Sequence, residues 1–279
     1  MTAAAPHVVV TGAGGFVGGF VSKWLAERGL HVTAHTRQKG DLRKAGSLPR
    51  KFDVLIHCAA ETPERCPEPA NLYQRNMDLA SSVFDQALAA GAHSVVFLSS
   101  MSAYGAVSVP EITEDTPPGE LDPYGRAKRD AESLLQSCIA RGLPSALTIR
   151  LPGTVGKGSH DNFLSVALGR ALKGETVKGR NPESLFNNIV HVGDLAAFLE
   201  AWIAKPRPGY AVTNLAAADP LPMREVLLVM FASAGLKENF AFEPGGKKPF
   251  LISLERALSL GYRAATVKAS IVFFVRDSV

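Results

Sequence analysis

Cysteine is scarce in this chain, with three residues among 279, at Cys58, Cys66 and Cys138. The number is odd, no two of them form a Cys-x-x-Cys pair, and no histidine stands at the spacing of a zinc ligand. We therefore expect neither a disulfide framework nor a metal site. Scattered thiols of this kind are typical of a reducing compartment, which predicts a cytoplasmic location.

Long apolar runs and dense basic runs are missing as well. No apolar stretch reaches the roughly 20 residues that cross a bilayer, and residues 1–6 lack a basic segment followed by an apolar one. The formal net charge is only +4, without the interleaved basic and aromatic residues of a nucleic-acid surface. We expect no membrane and no nucleic-acid partner. A mild positive charge suits an anionic cofactor and a small-molecule substrate.

The N-terminal part of the chain combines an apolar run, a glycine-rich turn and a helical pattern. Residues 7–11 predict a short strand, and residues 16–28 have the periodicity of a helix. The glycines between them let the backbone approach a pyrophosphate, which the unpaired N–H groups at the helix start would bind. Their spacing is Gly-x-x-Gly-x-x-Gly rather than the common Gly-x-Gly-x-x-Gly. The segment predicts a dinucleotide site made by Gly12, Gly14, Gly15, Phe16, Val17 and Gly18.

A second predicted strand, residues 31–36, ends without the acidic residue that would bind a free ribose 2′-hydroxyl. Arg37 stands there instead, with Lys39 and Arg43 nearby. A guanidinium pairs well with a phosphate, so the local charge favours a ribose 2′-phosphate. We therefore expect NADP as the cofactor, and NAD stays possible.

Two further segments carry groups able to move or hold a proton. Tyr124 and Lys128 stand four residues apart on a predicted helix and therefore share one face. A nearby cation lowers the pKa of a phenol from about 10, which predicts that Tyr124 acts as a general acid or base. A solvated helix face is the alternative. Upstream, the predicted strand at 94–99 leads into Ser99 and Ser100, at the sheet edge where ligands bind.

These motifs together resemble the extended short-chain dehydrogenase/reductase family, which includes NAD(P)-dependent epimerases, dehydratases and reductases of nucleotide sugars. The resemblance covers nearly the whole chain, and the motifs occur in the family's order and spacing. They are TGAGGFVG at 11–18, DVLIHCAA at 53–60, Asn76, the serine-rich run to Tyr104 and Gly105, YGRAK at 124–128 and HVGDLA at 191–196.

The resemblance implies a Ser-Tyr-Lys site. In this family the catalytic Ser or Thr lies four residues before the Tyr of a Tyr-Gly pair, which is Ser100 here, with Ser99 and Ser102 as lesser candidates. Tyr124 would exchange a proton with a substrate oxygen while hydride moves between the same carbon and the nicotinamide. Ser100 would donate a hydrogen bond to that oxygen. Further cofactor contacts are expected from Arg37, Ala59, Ala60, Asn76, Ser99, Tyr124, Lys128 and Pro152.

The order of the elements predicts the fold class. Predicted strands at 7–11, 31–36, 53–58, 94–99 and 145–149 alternate with helices, which is typical of an α/β fold with a doubly wound parallel sheet. The family implies the NAD(P)-binding Rossmann fold at 1–155. Residues 156–279 are expected to form mainly a small C-terminal substrate-binding lobe, with 185–204 returning to the Rossmann core. Family homodimers pair two helices, here about 70–90 and 123–141, so a homodimer is expected.

Departures from the family pattern narrow the reaction. Met101 and Ser102 stand where dehydratases carry an Asp-Glu pair, and Ser102 also replaces the cysteine of fucose synthases. What remains is NAD(P)-dependent oxidation or reduction of a carbonyl/alcohol on a sugar nucleotide or related small molecule. A nucleotide-sugar 4-epimerase with retained NAD is the alternative. A non-catalytic NADP-binding sensor or scaffold is the second alternative.

The expected substrate contacts are Ser100, Ser102, Phe163 and Asn187. Many family members have an arginine a few residues before the His-Val-x-Asp-Leu-Ala motif, where it meets a diphosphate. Asn187 and Asn188 stand there in this chain, so a substrate without a nucleotide stays open.

Overall fold

The computed structural model describes residues 5–66, 68–246 and 248–279. Its strands, in chain order, are β1 His7–Thr11, β2 His31–His35, β3 Val54–His57, β4 Ser94–Ser100, β5 Glu111–Ile112, β6 Ser145–Leu151, β7 Gly153–Val155, β8 Val177–Gly179, β9 Leu185–Phe186, β10 Ile189–His191, β11 Gly209–Asn214, β12 Leu221–Pro222, β13 Phe240–Phe242 and β14 Leu251–Ile252. Its α-helices are α1 Phe16–Glu27, α2 Leu72–Ala89, α3 Pro123–Ala140, α4 Phe163–Leu172, α5 Val192–Ala204, α6 Met223–Ser233, α7 Glu255–Ser259 and α8 Val267–Ser278. Short 3-10 helices occupy Arg37–Lys39, Pro69–Asn71 and Met101–Tyr104.

The chain forms two compact units. The first contains residues up to 107, then 117–150 and 199–213, and the second contains 108–116, 151–198 and 214–279. Among the described helices none is long and apolar enough to span a bilayer.

The first unit is built on a six-stranded sheet with the order β11-β6-β4-β3-β1-β2. Strand β1 runs parallel to both β2 and β3, with Val8 opposite Val32 and Val54, and β3 runs parallel to β4. All five predicted strands are present, with ends that differ by two residues or fewer. The prediction of an α/β fold with a parallel sheet and flanking helices is therefore confirmed.

Burial explains why these segments form central strands. Residues 54–57 of β3 and the first six residues of β4 are all buried, as expected for strands covered on both faces by helices. One face of the sheet packs with α2 and α3 into a continuous core, which includes Val9, Leu55, Val83, Phe84, Val95, Phe97, Ala131 and Leu135. The ends of β1, β3 and β4 are thereby held on a rigid support.

The second unit has small two-stranded sheets rather than one large one. Its strand pairs are β7 with β10, β9 with β12, β8 with β13 and β5 with β14. Its core lies among α4, α6 and α8, and includes Leu164, Leu168, Ile189, Val226, Leu227, Met230, Phe231, Ile271 and Phe274.

The segment that returns to the first unit begins later than the predicted 185–204. Residues up to Phe198 belong to the second unit, and the return is Leu199–Thr213. The reason is that β10 pairs in parallel with β7, and Ile189 is buried in the second core. The apolar pattern at 189–192 marks a buried strand but does not specify its partner.

Candidate active site

The glycine turn after β1 is shaped by close backbone approach. Gly12 has a φ of +70°, and a Cβ there would lie 2.7 Å from the amide nitrogen of Ala59. A Cβ on Gly18 would collide with the carbonyl oxygen of Gly12. Both positions therefore require glycine, because the backbone of the turn packs directly against the start of α1 and against the segment after β3.

The start of α1 is left without a side-chain cap. Its N-cap residue is Gly15, which has no side chain to form a capping hydrogen bond. No acidic residue lies in the first turn. The first N–H groups of a helix have no partner inside the helix and carry a partial positive charge. This end of α1 is suited to an anion such as a pyrophosphate.

A buried pair that the sequence analysis did not single out supports this turn. The Thr11 hydroxyl lies 2.7 Å from Nδ1 of His57, and Ala59 donates its N–H to the same hydroxyl at 3.4 Å. Burial, and to a lesser extent Lys128, lower the pKa of His57 to about 3, so its ring is neutral at physiological pH. The sequence does contain a signal for this pair, because Thr11 and His57 are polar residues that each end an apolar strand.

Asn76 holds the segment after β3 against α2. Its amide nitrogen donates to the carbonyl oxygens of Leu72 and Glu61, both at 2.9 Å, and its amide oxygen accepts the Glu61 N–H at 3.0 Å. These bonds make Asn76 a support for this segment, and its contact with the cofactor stays a prediction. Ala59 and Ala60, two and one residues before Glu61, are thereby fixed beside the glycine turn.

The predicted 2′-phosphate region lies at the end of β2. Thr36 is adjacent to the glycine turn, since a Cβ on Gly14 would lie 3.8 Å from its side chain. Arg37 and Lys39 are exposed at the two ends of the short 3-10 helix that follows. Arg43, in contrast, is paired with Asp41 at 2.9 Å. Of the three cations, Arg37 is the one that directly follows Thr36, the residue beside the glycine turn.

Ser100 ends β4 and caps the 3-10 helix Met101–Tyr104. Its hydroxyl accepts the N–H of Ser102 at 3.1 Å and donates to the Ser102 hydroxyl at 3.2 Å. Both serines are half-buried. Their hydroxyls therefore lie side by side at the carboxyl end of the strand.

Helix α3 brings the tyrosine and the lysine to this strand end. It begins at Pro123 after the N-cap Asp122, whose carboxylate accepts the Gly125 N–H at 2.7 Å. A Cβ on Gly125 would collide with the carbonyl oxygen of Ser102. The absence of a side chain at Gly125 therefore allows the first turn of α3 to touch the backbone just after Ser100.

Lys128 is almost fully buried, with 4% of the residue exposed. Its Nζ donates to the carbonyl oxygen of Leu98 at 2.8 Å and lies 4.7 Å from the centre of the Phe97 ring. The centre of the Tyr124 ring is 5.6 Å away. The shared helix face predicted for Tyr124 and Lys128 is therefore observed.

The expected lowering of the phenol pKa is not observed. Burial, followed by the charges of Glu64 and Asp122, raises the pKa of Tyr124 to about 12. Burial also lowers the pKa of Lys128 to about 8. The Lys128 ammonium is bonded to the Leu98 carbonyl on β4, and it is not among the groups that shift the pKa of Tyr124, which burial dominates.

Three predicted contacts belong to the second unit. Phe163 is the first residue of α4 and is 40% exposed, and Pro152 lies between β6 and β7. Asn187 is buried, and its amide donates to the carbonyl of Ile252 at 2.8 Å and accepts the Ile252 N–H at 3.0 Å. The Asn187 side chain thus joins two segments of this unit, and its contact with a substrate stays a prediction.

Comparison with known proteins gives a family and several relatives. The model of the NAD dependent epimerase/dehydratase family matches residues 8–216. UDP-glucose 4-epimerase of Azospirillum brasilense is 31% identical over 169 residues, which are 52% of this chain and 49% of that protein. The 2′-dehydrokanamycin reductase of Streptomyces kanamyceticus is 28% identical over 233 residues, which are 79% of this chain and 64% of that protein. The chain spans about half to two thirds of the length of these two relatives.

Solved structures show the same fold. MoeE5 in complex with UDP-glucuronic acid and NAD is 26% identical, with a TM-score of 0.81 over 97% of this chain and 98% of that one. RMD from Pseudomonas aeruginosa complexed with NADPH is 21% identical, with a TM-score of 0.80 over 98% of both chains. At the latter identity the likeness concerns the fold alone.

Proposed function

The chain belongs to the NAD-dependent epimerase/dehydratase family, in agreement with the resemblance of its motifs, and we propose that it transfers hydride between NAD(P) and a carbonyl/alcohol group. The observation that carries this proposal is the placement of three side chains in the first unit. Tyr124 and Lys128 share a face of α3, and the turn of α3 that contains Gly125 touches the backbone beside Ser100. This arrangement supports a Ser-Tyr-Lys site.

The residues of the first unit fit a dinucleotide cofactor. Side chains at Gly12 and Gly18 would fill the space of the turn, and the adjacent start of α1 has N–H groups for a pyrophosphate. Ala59 and Ala60 add little bulk beside that turn. When bound, the nicotinamide supplies or accepts the hydride.

Tyr124 holds the proton that the reaction needs. With a pKa of about 12 the phenol stays protonated at neutral pH, so it serves as an acid towards a substrate oxygen that gains negative charge. The Ser100 hydroxyl, which donates to the Ser102 hydroxyl at 3.2 Å without substrate, would turn to donate a second hydrogen bond to the same oxygen. Lys128, whose pKa is about 8, is mostly charged at pH 7 and stabilises the phenolate left after proton transfer. A protonated Tyr124 therefore favours the direction in which the substrate carbonyl is reduced.

We propose NADP as the preferred cofactor because of the charge after β2. Arg37 is exposed two residues beyond the end of β2, in the position from which a guanidinium can pair with a 2′-phosphate. NAD is the alternative, and it belongs to the second candidate function, a 4-epimerase that keeps its cofactor. The similarity to UDP-glucose 4-epimerase and to the NAD complex of MoeE5 favours that candidate.

The proposed substrate is a sugar nucleotide or a related small molecule. MoeE5 was solved with UDP-glucuronic acid, and another relative is named 2′-dehydrokanamycin reductase. We propose a homodimer in the cytoplasm, with α2 and α3 at the interface. The exposed positions on these helices include Gln74, Asp78, Asp85, Arg126 and Gln136, a polar surface that weighs against the dimer. A purely monomeric sedimentation profile at micromolar concentration would remove the dimer from the proposal.

The first test is a titration of the purified protein with NADPH and with NADH, followed by nicotinamide fluorescence. Tighter NADPH binding is expected, and turnover is then measured with keto-sugars and with UDP-glucose. Binding of neither cofactor would contradict the proposed activity. Tighter NADH binding, or NAD that copurifies, would favour the epimerase.

The second test is Tyr124→Phe. Because a positioned proton donor is worth about a hundredfold or more in rate, turnover should fall by that factor while cofactor affinity changes little. The control is Tyr73→Phe, which removes a hydroxyl bonded to Asp130 between α2 and α3. Unchanged turnover in Tyr124→Phe would refute the role of Tyr124 as proton donor, and cofactor binding without any turnover in the wild type would support the non-catalytic sensor.

A further inference from the structure

The first unit contains a buried ion pair outside the Ser-Tyr-Lys site. The Nη2 of Arg150 on β6 lies 2.7 Å from Oε2 of Glu132 on α3, and its Nε lies 3.1 and 3.2 Å from the two carboxylate oxygens. Each side chain is only 4% exposed. The guanidinium therefore grips the carboxylate with two of its nitrogens and has a fixed orientation.

Each partner of this pair also holds a residue on one side of Ser100. The hydroxyl of Ser99 donates to Oε1 of Glu132 at 2.5 Å. Nη1 of Arg150 donates to the hydroxyl of Tyr104 at 2.7 Å, and its guanidinium carbon lies 4.6 Å from the centre of that ring. Ser99 and Tyr104 are both buried. The end of β4 and the 3-10 helix after it are thus anchored at both ends, with Ser100 between the anchors.

The pair also lies in line with the other two candidate groups. Tyr124, Lys128 and Glu132 follow one another at intervals of four residues on α3, so they share one face of the helix. The Glu132 charge acts on Lys128 and raises its pKa against the effect of burial. The Glu132 carboxylate therefore accepts a hydrogen bond from Ser99 on β4 and pairs with Arg150 on β6. It belongs to the same helix as Tyr124.

We propose that Glu132 and Arg150 are positioning residues that hold the Ser100 hydroxyl in register with Tyr124. The predicted effect of the pair on turnover rests on the proposed hydride-transfer function. The predicted effect on the order of the backbone around Ser100 does not depend on that function. Stability alone is a poor reason for such a pair, because an apolar pair of similar volume is often as stable or more stable. The two bonds to Ser99 and Tyr104 give the ion pair a positional role instead, since they hold the backbone on both sides of Ser100.

The main variant is Glu132→Leu/Arg150→Met, which removes both charges together and leaves neither unpaired. We expect it to fold with a lower thermal midpoint, because the buried Ser99 and Tyr104 hydroxyls lose their bonds to the pair. At a temperature where the variant is folded, kcat should fall about a hundredfold, the usual loss for a misplacement near 1 Å. KM and the Kd for NADPH should change less than threefold. The control is Asp85→Leu/Arg141→Met, which removes an exposed pair with a 2.8 Å contact between α2 and the end of α3, and it should keep full kcat.

A second variant removes the anchors and keeps the charges paired. Ser99→Ala/Tyr104→Phe deletes only the two hydroxyls, and we expect it to lower kcat by a similar factor. If Glu132→Leu/Arg150→Met does not fold, this variant alone decides the proposal. A kcat within twofold of the wild type in the folded anchor variant would overturn it.

Amide hydrogen exchange keeps this test separate from the proposed function. Peptides that cover residues 99–105 should exchange at least tenfold faster in both variants, while peptides from β1 and β3 should be unchanged. If the wild type has no turnover with any substrate, the proposed function fails and the exchange still tests the anchoring. Unchanged exchange at 99–105 would refute the positioning role regardless of activity.

Discussion

Lys128→Met should change the pH dependence of stability as well as activity. In the wild type the ammonium is 4% exposed and makes a 2.8 Å hydrogen bond to the Leu98 carbonyl. Burial lowers its pKa from 10.5 to about 8. The native state therefore binds this proton less strongly than the unfolded chain does. Between these two pKa values the unfolded state holds more protons, so the stability of the wild type rises with pH.

The size of the effect follows from the two pKa values. At pH 7 the shift costs the native wild type about 3 kcal/mol, and at pH 9.5 the cost is about 1 kcal/mol. Methionine carries no proton, so the variant lacks this term. The Leu98 carbonyl loses its partner in the variant, which costs about 1–3 kcal/mol without a strong dependence on pH. From pH 7 to 9.5 the wild type should gain about 2 kcal/mol relative to Lys128→Met.

Urea unfolding of both proteins at pH 7 and pH 9.5 measures this gain. Lys23→Met is the control for the substitution itself, because that side chain is 79% exposed on α1. A stability difference between Lys128→Met and the wild type that does not change with pH would refute the reasoning. At pH 7 the same variant should lose turnover by about a hundredfold or more and bind NADPH more weakly.

Two further predictions concern the cofactor site. Arg37→Ala should weaken NADPH binding about tenfold or more, since a charge-assisted bidentate contact is lost, and should spare NADH; an equal loss for both cofactors in fluorescence titration would contradict a 2′-phosphate contact. Gly12→Ala should destabilise the protein more than Gly91→Ala, because the two glycines have φ values of +70° and +72° but only Gly12 faces a backbone atom, at 2.7 Å. Gly91→Ala should cost about 1–2 kcal/mol for its left-handed conformation alone, and equal losses in urea unfolding would show that the approach of Ala59 is not restrictive.

Much of the first unit could be predicted from local patterns. Apolar runs such as 7–11 and 94–99 are strands in the structure because the central strands of a covered parallel sheet are buried on both faces. The glycines at 12 and 18 marked the turn because a side chain there would meet backbone. The face shared by Tyr124 and Lys128 follows from helical periodicity alone. These features depend on residues close together in the chain.

Tertiary structure decided the features that join distant segments. Lys128 bonds to Leu98, thirty residues away, and the phenol pKa rises rather than falls because its burial depends on the surrounding fold. Asn187 bonds to Ile252, and Glu132 meets Arg150, through contacts that no local pattern specifies. The sequence by itself determined which strands, helix and turn carry the candidate groups. Only the packing of α3 on β4 and β6 determined their protonation and support, because desolvation and hydrogen-bond partners are properties of the assembled core.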